Sequence, residues 1–284
     1  MPYGDLRLQR AQRFASLADL DVARCSNEER EEYEPHLARG TVVYSGIDTA
    51  ALLAAAAGEA NVLLWDGGNN DFPFVRPNRL IVLADALRPD QLDSHHPGET
   101  CLRLADAVVI AKTDTAPAGV AERMRAAIAR INPTARIHLG GSPVSLREAA
   151  RAAGKRVMVV EDGPTLTHGG MAYGVGFVAA KAAGVAEVVD PRQSLAAALR
   201  PVFDDHPQIG PVLPAVGYDA LQLAALEQTI RASRAELVIS ATPLDLAARL
   251  DVGRPILRVT YDYADRSWPG LGGEIDRFVV DYCR

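Results

Sequence analysis

Three stretches carry the residues whose types and spacing could do chemistry. In NVLLWDGGNND (61–71) an apolar run ends in Asp66, followed by Gly67 and Gly68. An acid at the carboxyl end of a buried strand can hold Mg²⁺ directly or through water, and paired glycines let backbone approach a phosphate. The plainer alternative is an aspartate capping a turn. In DAVVIAKTD (106–114) a second apolar run ends in Lys112-Thr113-Asp114. There a lysine stem can lie along a purine ring while the aspartate accepts hydrogen bonds from the base. Alone, a K-x-D triplet is mostly surface charge.

The third stretch, MVVEDGPTLTHGGMAYGVG (158–176), has six Gly or Pro among nineteen residues and runs from a strand toward a helix. Thr165, Thr167, His168, Gly169 and Gly170 fall ahead of that helix, where free N–H groups and the helix dipole favour an anion. His168 can give a proton or hydrogen bond to phosphate near neutral pH, and Glu161 and Asp162 can bind a cation or position a hydroxyl. The alternative is that the two acids cap the turn and His168 simply packs. Gly174 and Gly176 also open a formal G-x-G-x-x-[GA] pattern. A dinucleotide fingerprint puts its first glycine directly after the strand, and here about thirteen residues intervene after Val160.

Positioning these residues requires strands that end where the chemistry begins. Val/Ile/Leu-rich runs occur at 41–44, 61–65, 79–84, 107–111, 136–139, 156–160, 186–189, 211–214, 236–240 and 255–261. Most lack polar alternation, as parallel strands covered on both faces do. Helical patterns at 116–131, 144–153 and 218–233 lie between them. The alternation predicts a three-layer α/β architecture with mostly parallel sheets. A helix ending at Gly154 and a fresh strand after it place a domain boundary there, giving domains 1–154 and 155–284.

Bulk properties narrow the classes. A net charge of −6 and a pI near 5.6 give no sign of general nucleic-acid or membrane-surface binding. Cys25, Cys101 and Cys283 are odd in number and far apart, which suggests free thiols in a reducing compartment. The first ten residues are charged, unlike a signal peptide, and the apolar stretch 50–57 is too short to span a bilayer. The expectation is a cytoplasmic homo-oligomer.

Strand–Asp-Gly-Gly, another strand, then strand–K-x-D is the order of a P-loop nucleotide-binding domain. No G-x-x-x-x-G-K-[ST] occurs in the 284 residues, so the β- and γ-phosphates lack their cradle. The first strand–loop–helix is expected to precede residue 1, contributed by an upstream-encoded segment.

MPYGDLRLQRAQRF, CSNEEREEYEPHLARGTVVYSGID, LLWDGGNNDFPF, HPGETCLRLADAVVIAKTD and VVEDGPTLTHGGMAYGVGFVAA resemble the cyclic 2,3-diphosphoglycerate synthetase family over nearly all of the chain. Its members are P-loop NTPase relatives, often labelled predicted GTPases. The resemblance implies a P-loop NTPase-like domain lacking its first strand-loop-helix, followed by a carboxyl-terminal Rossmann-like domain. It implies a ligase that uses ATP (or GTP) and Mg²⁺ to close a phosphoanhydride on a phosphorylated small acid. Asp66 would then be the Mg²⁺-side acid, with Gly67 and Gly68 near the γ-phosphate and Lys112 and Asp114 at the base. Asp5 could also touch metal. Arg7, Arg30 and Arg103 are candidate cations for a doubly phosphorylated substrate, with the 161–174 loop as its anion site. Ala111 stands where the family motif has Asn, and Cys101 where Asn is expected. Two function classes follow: a nucleotide-driven enzyme, or a GTPase-like binding module without turnover.

Overall fold

The computed structural model describes residues 6–68, 71–215, 220–243 and 245–283. The chain forms two compact units that interleave in sequence. One comprises 1–12, 44–143 and 262–284; the other comprises 13–43 and 144–261. The division therefore falls beside Pro143, and Gly154, at φ +67°, is a turn inside the second unit.

The first unit is built on a four-stranded sheet. Its order is Ala264–Asp265, Arg136–Gly141, Ala107–Ala111, Ile81–Asp85. The last three strands are parallel and the first is antiparallel. Alternate side chains face opposite sides, and the register sets Leu83, Val109 and His138 in one row. Helices Gly98–Leu104 and Val120–Ile131 close one face, with Ala84, Ile110, Leu102, Met124 and Ile128 packed together. The second of these helices is amphipathic, burying Val120, Met124 and Ile128 at helical spacing. Buried Asn132 ends it and ties in the first helix, donating to the carbonyls of Leu102, Arg103 and Ala105.

Helix Gly270–Tyr282 lies on the other face. Its buried Glu274 takes the Arg136 guanidinium at 2.5 and 2.7 Å and His138 Nε2 at 2.9 Å. The Arg136 guanidinium beside it holds the Glu274 carboxyl at about 2. At the far end of the helix, Asp281 pairs with Arg79 at 3.1 Å, just ahead of the Ile81–Asp85 strand.

The second unit has a six-stranded sheet ordered Val144–Leu146, Ile256–Tyr261, Leu237–Ala241, Arg156–Asp162. The free edge of Arg156–Asp162 is taken at its start by Glu187–Val188 and at its end by Leu213–Ala215. All pairings are parallel except that of Val144–Leu146. The central strands are apolar on both faces, and Val157, Met158, Val159, Val160, Val238 and Ile239 are wholly buried, as the apolar runs require. Both units thus have the expected α/β character.

Two local expectations fail. Residues 61–65 form no strand; they have no regular secondary structure and are exposed, because among the described residues no strand pairs with them. Residues 144–153, read as a helix, begin instead with the strand Val144–Leu146 and continue into a 3₁₀ turn, Ala149–Arg151. Pairing with Val259–Tyr261 outweighs the helix propensity of the alanines that follow.

Candidate functional site

In the first unit the strand ends bring together a constellation only partly visible in sequence. Asp85 and Ala111 are register partners at the ends of adjacent parallel strands. The residue after Ala111 is Lys112, whose φ of +58° is uncommon for a side chain with a Cβ. This turn is held by Thr113, whose N–H and hydroxyl both donate to the Gly140 carbonyl, at 3.0 and 2.9 Å. Lys112 Nζ then reaches Asp85 Oδ2 at 2.6 Å. Both groups are partly exposed, so the pair fixes the direction of the lysine more than it stabilises the fold.

The residue Asp114 is exposed, but its side chain is only 11% exposed and turns inward. Both of its carboxylate oxygens accept the Ser142 N–H at 3.1 Å, and the Arg266 guanidinium stands 3.9 Å away. Gly141 is required at this point: a Cβ there would lie 2.8 Å from Arg266 Nε and 3.1 Å from the Asp114 carboxyl carbon. A Cβ on Gly140 would collide with the Tyr263 ring. Tyr263 Oη donates to Asp265 at 2.5 Å, and burial, then the Asp265 carboxylate, hold its hydroxyl well above the usual range. Lys112 and Asp114, both anticipated, therefore share the strand ends with Asp85, Ser142, Tyr263 and Arg266. Sequence reading missed these four. Only Asp85 left a signal, as the acid closing the apolar run 79–84.

The other first-unit candidates lie apart from this constellation in the structure's contacts. Asp66 is exposed in the irregular 61–68 segment. A Cβ on Gly67 would meet the Trp65 indole nitrogen at 3.1 Å, and the Gly68 N–H donates to Asp71 at 3.2 Å. Arg103 pairs with Glu99 one helical turn away. Arg7 lines an open groove with Arg10, Ile47, Asp48 and Thr49. Asp5 lies outside the described residues. Among the described residues, no group of three or more His, Cys, Asp or Glu side chains could enclose a metal ion.

In the second unit the glycine-rich stretch leads into helix Val175–Ala182. Three N–H groups at that helix start are already occupied. Glu161, 1% exposed, accepts from Gly174 at 3.0 Å, Gly176 at 3.1 Å and Phe177 at 2.8 Å. The anion at this helix N-terminus is the protein's own carboxylate. A Cβ on Gly174 would sit 2.6 Å from Glu161 Oε2, and one on Gly176 would sit 3.1 Å from Oε1. Gly174 thus makes room for the glutamate, while Gly176 makes room first for Val159 and Ala241, 2.8 and 2.9 Å from a Cβ there. Burial pushes the Glu161 carboxyl above its ordinary range, against the lowering effect of the N–H groups of Phe177, Gly176 and Gly174.

Asp162 caps the short helix Gly163–Leu166, accepting from the Thr165 N–H at 3.2 Å and its hydroxyl at 2.7 Å. The Thr167 hydroxyl bonds the Gly163 carbonyl at 3.0 Å and lies 3.2 Å from His168 Nδ1. His168 is exposed, the Gly169 N–H donates to the Pro164 carbonyl at 2.9 Å, and Gly170 has φ +63°. Thr165, Thr167, His168, Gly169 and Gly170 therefore do share one loop. The two acids behind them act as caps. Arg30 pairs with Asp21 and, at 3.6 Å, with Glu34.

Among the described residues no helix is long and apolar enough to cross a membrane. No family model matches the chain. Over 271 residues it is 46% identical to arginine synthetase ArcE of Thermococcus kodakarensis, in a match covering 95% of this chain and 60% of that protein. The chain is thus similar to a synthetase, and spans about three-fifths of the length of that curated relative.

Proposed function

We propose that the chain is part of a nucleoside-triphosphate-dependent synthetase. The observation that carries this reading is the 46% identity to a protein named arginine synthetase. The strand ends of the first unit supply candidate contacts for a nucleotide. Asp114 keeps acceptor capacity beyond the Ser142 N–H, and Asp85 holds Lys112 at the same edge. These side chains fit a purine base. Asp66 offers one exposed carboxylate, which fits Mg²⁺, an ion usually held by one or two carboxylates together with the phosphates. A bound ATP or GTP would supply the phosphoryl group that turns a poor oxygen leaving group into a good one.

The substrate reading favours an amino acid over a bisphosphate. Building a guanidino group, as the relative's name implies, from a ureido amino acid would require the ureido oxygen to be phosphorylated before an amine nitrogen displaces it as phosphate. A doubly phosphorylated acid, the substrate suggested by the cyclic 2,3-diphosphoglycerate synthetase resemblance, needs several cations. The 163–173 loop contains no Lys or Arg, its helix N–H groups are held by Glu161, and Arg30 and Arg103 have acidic partners. Thr165, Thr167 and His168 are the polar groups left to orient a small substrate. The second reading is a nucleotide-binding module without turnover.

Calorimetric titration with Mg²⁺–ATP and Mg²⁺–GTP tests the nucleotide reading. The chain alone should bind one of them weakly, and Asp114→Ala should weaken it further by about 1.5–3 kcal/mol, the worth of a charge-assisted hydrogen bond. Absence of binding to either nucleotide, or binding that ignores Asp114→Ala, overturns the assignment. Turnover that needs an amino-acid acceptor supports the synthetase over the module.

A further inference from the structure

The second unit's sheet starts at one edge with Val144–Leu146, followed by Ile256–Tyr261 and Leu237–Ala241. Register gathers polar side chains on one face of these three strands. Ser145 stands opposite Thr260, and Ser240 is the partner of Arg258. The antiparallel pairing runs one residue past the edge strand, where the Arg147 N–H donates to the Arg258 carbonyl at 3.2 Å. Strand alternation puts Arg147 on the side of Ser145, and Arg258 on the side of Thr260. Two arginines therefore face each other across neighbouring strands.

Like charges so placed are destabilising, and this unit balances its cations elsewhere. Lys155 and Arg156 share Glu236, Arg234 meets Glu187, and Arg231 meets Glu227 and Asp251. Among the described residues, Arg147 and Arg258 have no acidic partner. The nearby acids are committed: Glu148 pairs with Arg151 at 2.7 Å, and Asp245 caps helix Leu246–Arg249. Arg258 donates to the Pro243 carbonyl at 2.7 Å, which leaves most of its five N–H donors available. Both arginines are exposed. A charge guarding a sheet edge would account for Arg147, but Arg258 lies one strand in.

Ser240 points to the same place independently. It is 2% exposed, and its hydroxyl has no hydrogen-bond partner, a costly state for a buried polar group. It shares a face with Arg258, one strand spacing of about 4.8 Å away. Guanidinium forks match phosphate oxygens. Two of them balance a phosphate dianion, whereas a single carboxylate would leave a positive charge over.

We infer that Arg147 and Arg258, with Ser145, Ser240 and Thr260, form a binding site for one phosphate group in the second unit. The site carries charge for one phosphate and not for two. It lies in a different unit from Lys112 and Asp114, and does not rest on the nucleotide reading. The phosphate can be carried by a nucleotide or by another phosphorylated small molecule.

Calorimetric titration of the full chain with inorganic phosphate tests the site, together with melts in phosphate-free buffer. The parent should bind phosphate and gain Tm from it. Arg147→Gln and Arg258→Gln should each weaken that binding ~10-fold or more, as loss of a charge-assisted hydrogen bond does. Without phosphate, both variants should keep or raise the parent's Tm, because the opposed charges are relieved. Ser240→Ala should weaken phosphate binding without lowering the phosphate-free Tm. Mg²⁺–ATP titrated into Arg258→Gln then assigns the source. A matching loss gives the phosphate to a nucleotide, and an unchanged affinity gives it to another molecule. No phosphate binding by the parent, or binding that ignores both arginine substitutions, overturns the inference. A phosphate-free Tm that falls in both arginine variants overturns it too, since the two side chains would then be holding the fold.

Discussion

Replacing Glu161 with Gln tests whether the helix N-terminus at 174–177 is an internal anchor. The amide can keep its oxygen where Oε1 accepts from Gly174 and Phe177, at 3.0 and 2.8 Å. Its NH₂ then faces the Gly176 N–H, where Oε2 had accepted at 3.1 Å. One hydrogen bond is lost and two donors oppose each other in a buried site, which costs about 2–4 kcal/mol. In a unit of this size that is a fall in Tm of roughly 5–15 °C. Calorimetry would read it, with faster amide exchange at Gly176. The pH dependence carries a sign. Because the folded-state pKa is raised, this group's stability contribution is full below the ordinary glutamate value and is lost as pH rises through the folded pKa. The deficit of Glu161→Gln should therefore be greatest in acid and shrink toward neutrality. A Tm within one or two degrees of the parent, about the shift of a surface change, would refute the anchor.

Glu274→Gln should act in the opposite direction. A carboxyl held at about 2 contributes stability above the ordinary value near 4.5 that is lost as pH falls toward 2, so the variant's deficit, read by denaturant melts, should vanish in strong acid. Gly174→Ala should lower Tm, since it drives a Cβ to 2.6 Å from the buried Glu161 carboxyl, and a Tm equal to the parent's would refute that close approach. His168→Ala should leave Tm within about 1 °C, because exposed side chains contribute little. In the assembled enzyme it should weaken amino-acid affinity without changing nucleotide binding, and unchanged kinetics would remove it from the site.

Much of the sheet framework was legible because its strands are short apolar runs whose burial follows from composition; 107–111 was read to the residue. The run 61–65 has the same composition and forms no strand, because strand formation depends on a neighbour as well as on the residues. Val144–Leu146 failed in the other direction, since its pairing with 259–261 is invisible to local propensity. At the candidate sites, Lys112 and Asp114 could be found because the motif is contiguous. Ser142, Tyr263 and Arg266 could not, because only folding brings them to the same strand ends. Glu161 was read as a group to bind a cation or position a hydroxyl, or else to cap the turn, and its role as acceptor for the N–H groups of Gly174, Gly176 and Phe177 was not foreseen. Its partners, thirteen to sixteen residues further on, show that the protein supplies its own anion there.

The interleaving of the two units has a consequence for synthesis. The first unit's sheet has its three parallel strands by residue 141, yet the helix that covers its second face, bearing the Glu274 carboxylate that meets both Arg136 and His138, lies at 270–282. During translation that face must wait, bare and cationic, while the whole second unit is made. A premature stop before Glu274 would therefore spare every strand of the second unit but leave the earlier-made one uncapped. A ribosome-stalled chain ending near 260 should recruit chaperones through residues made long before.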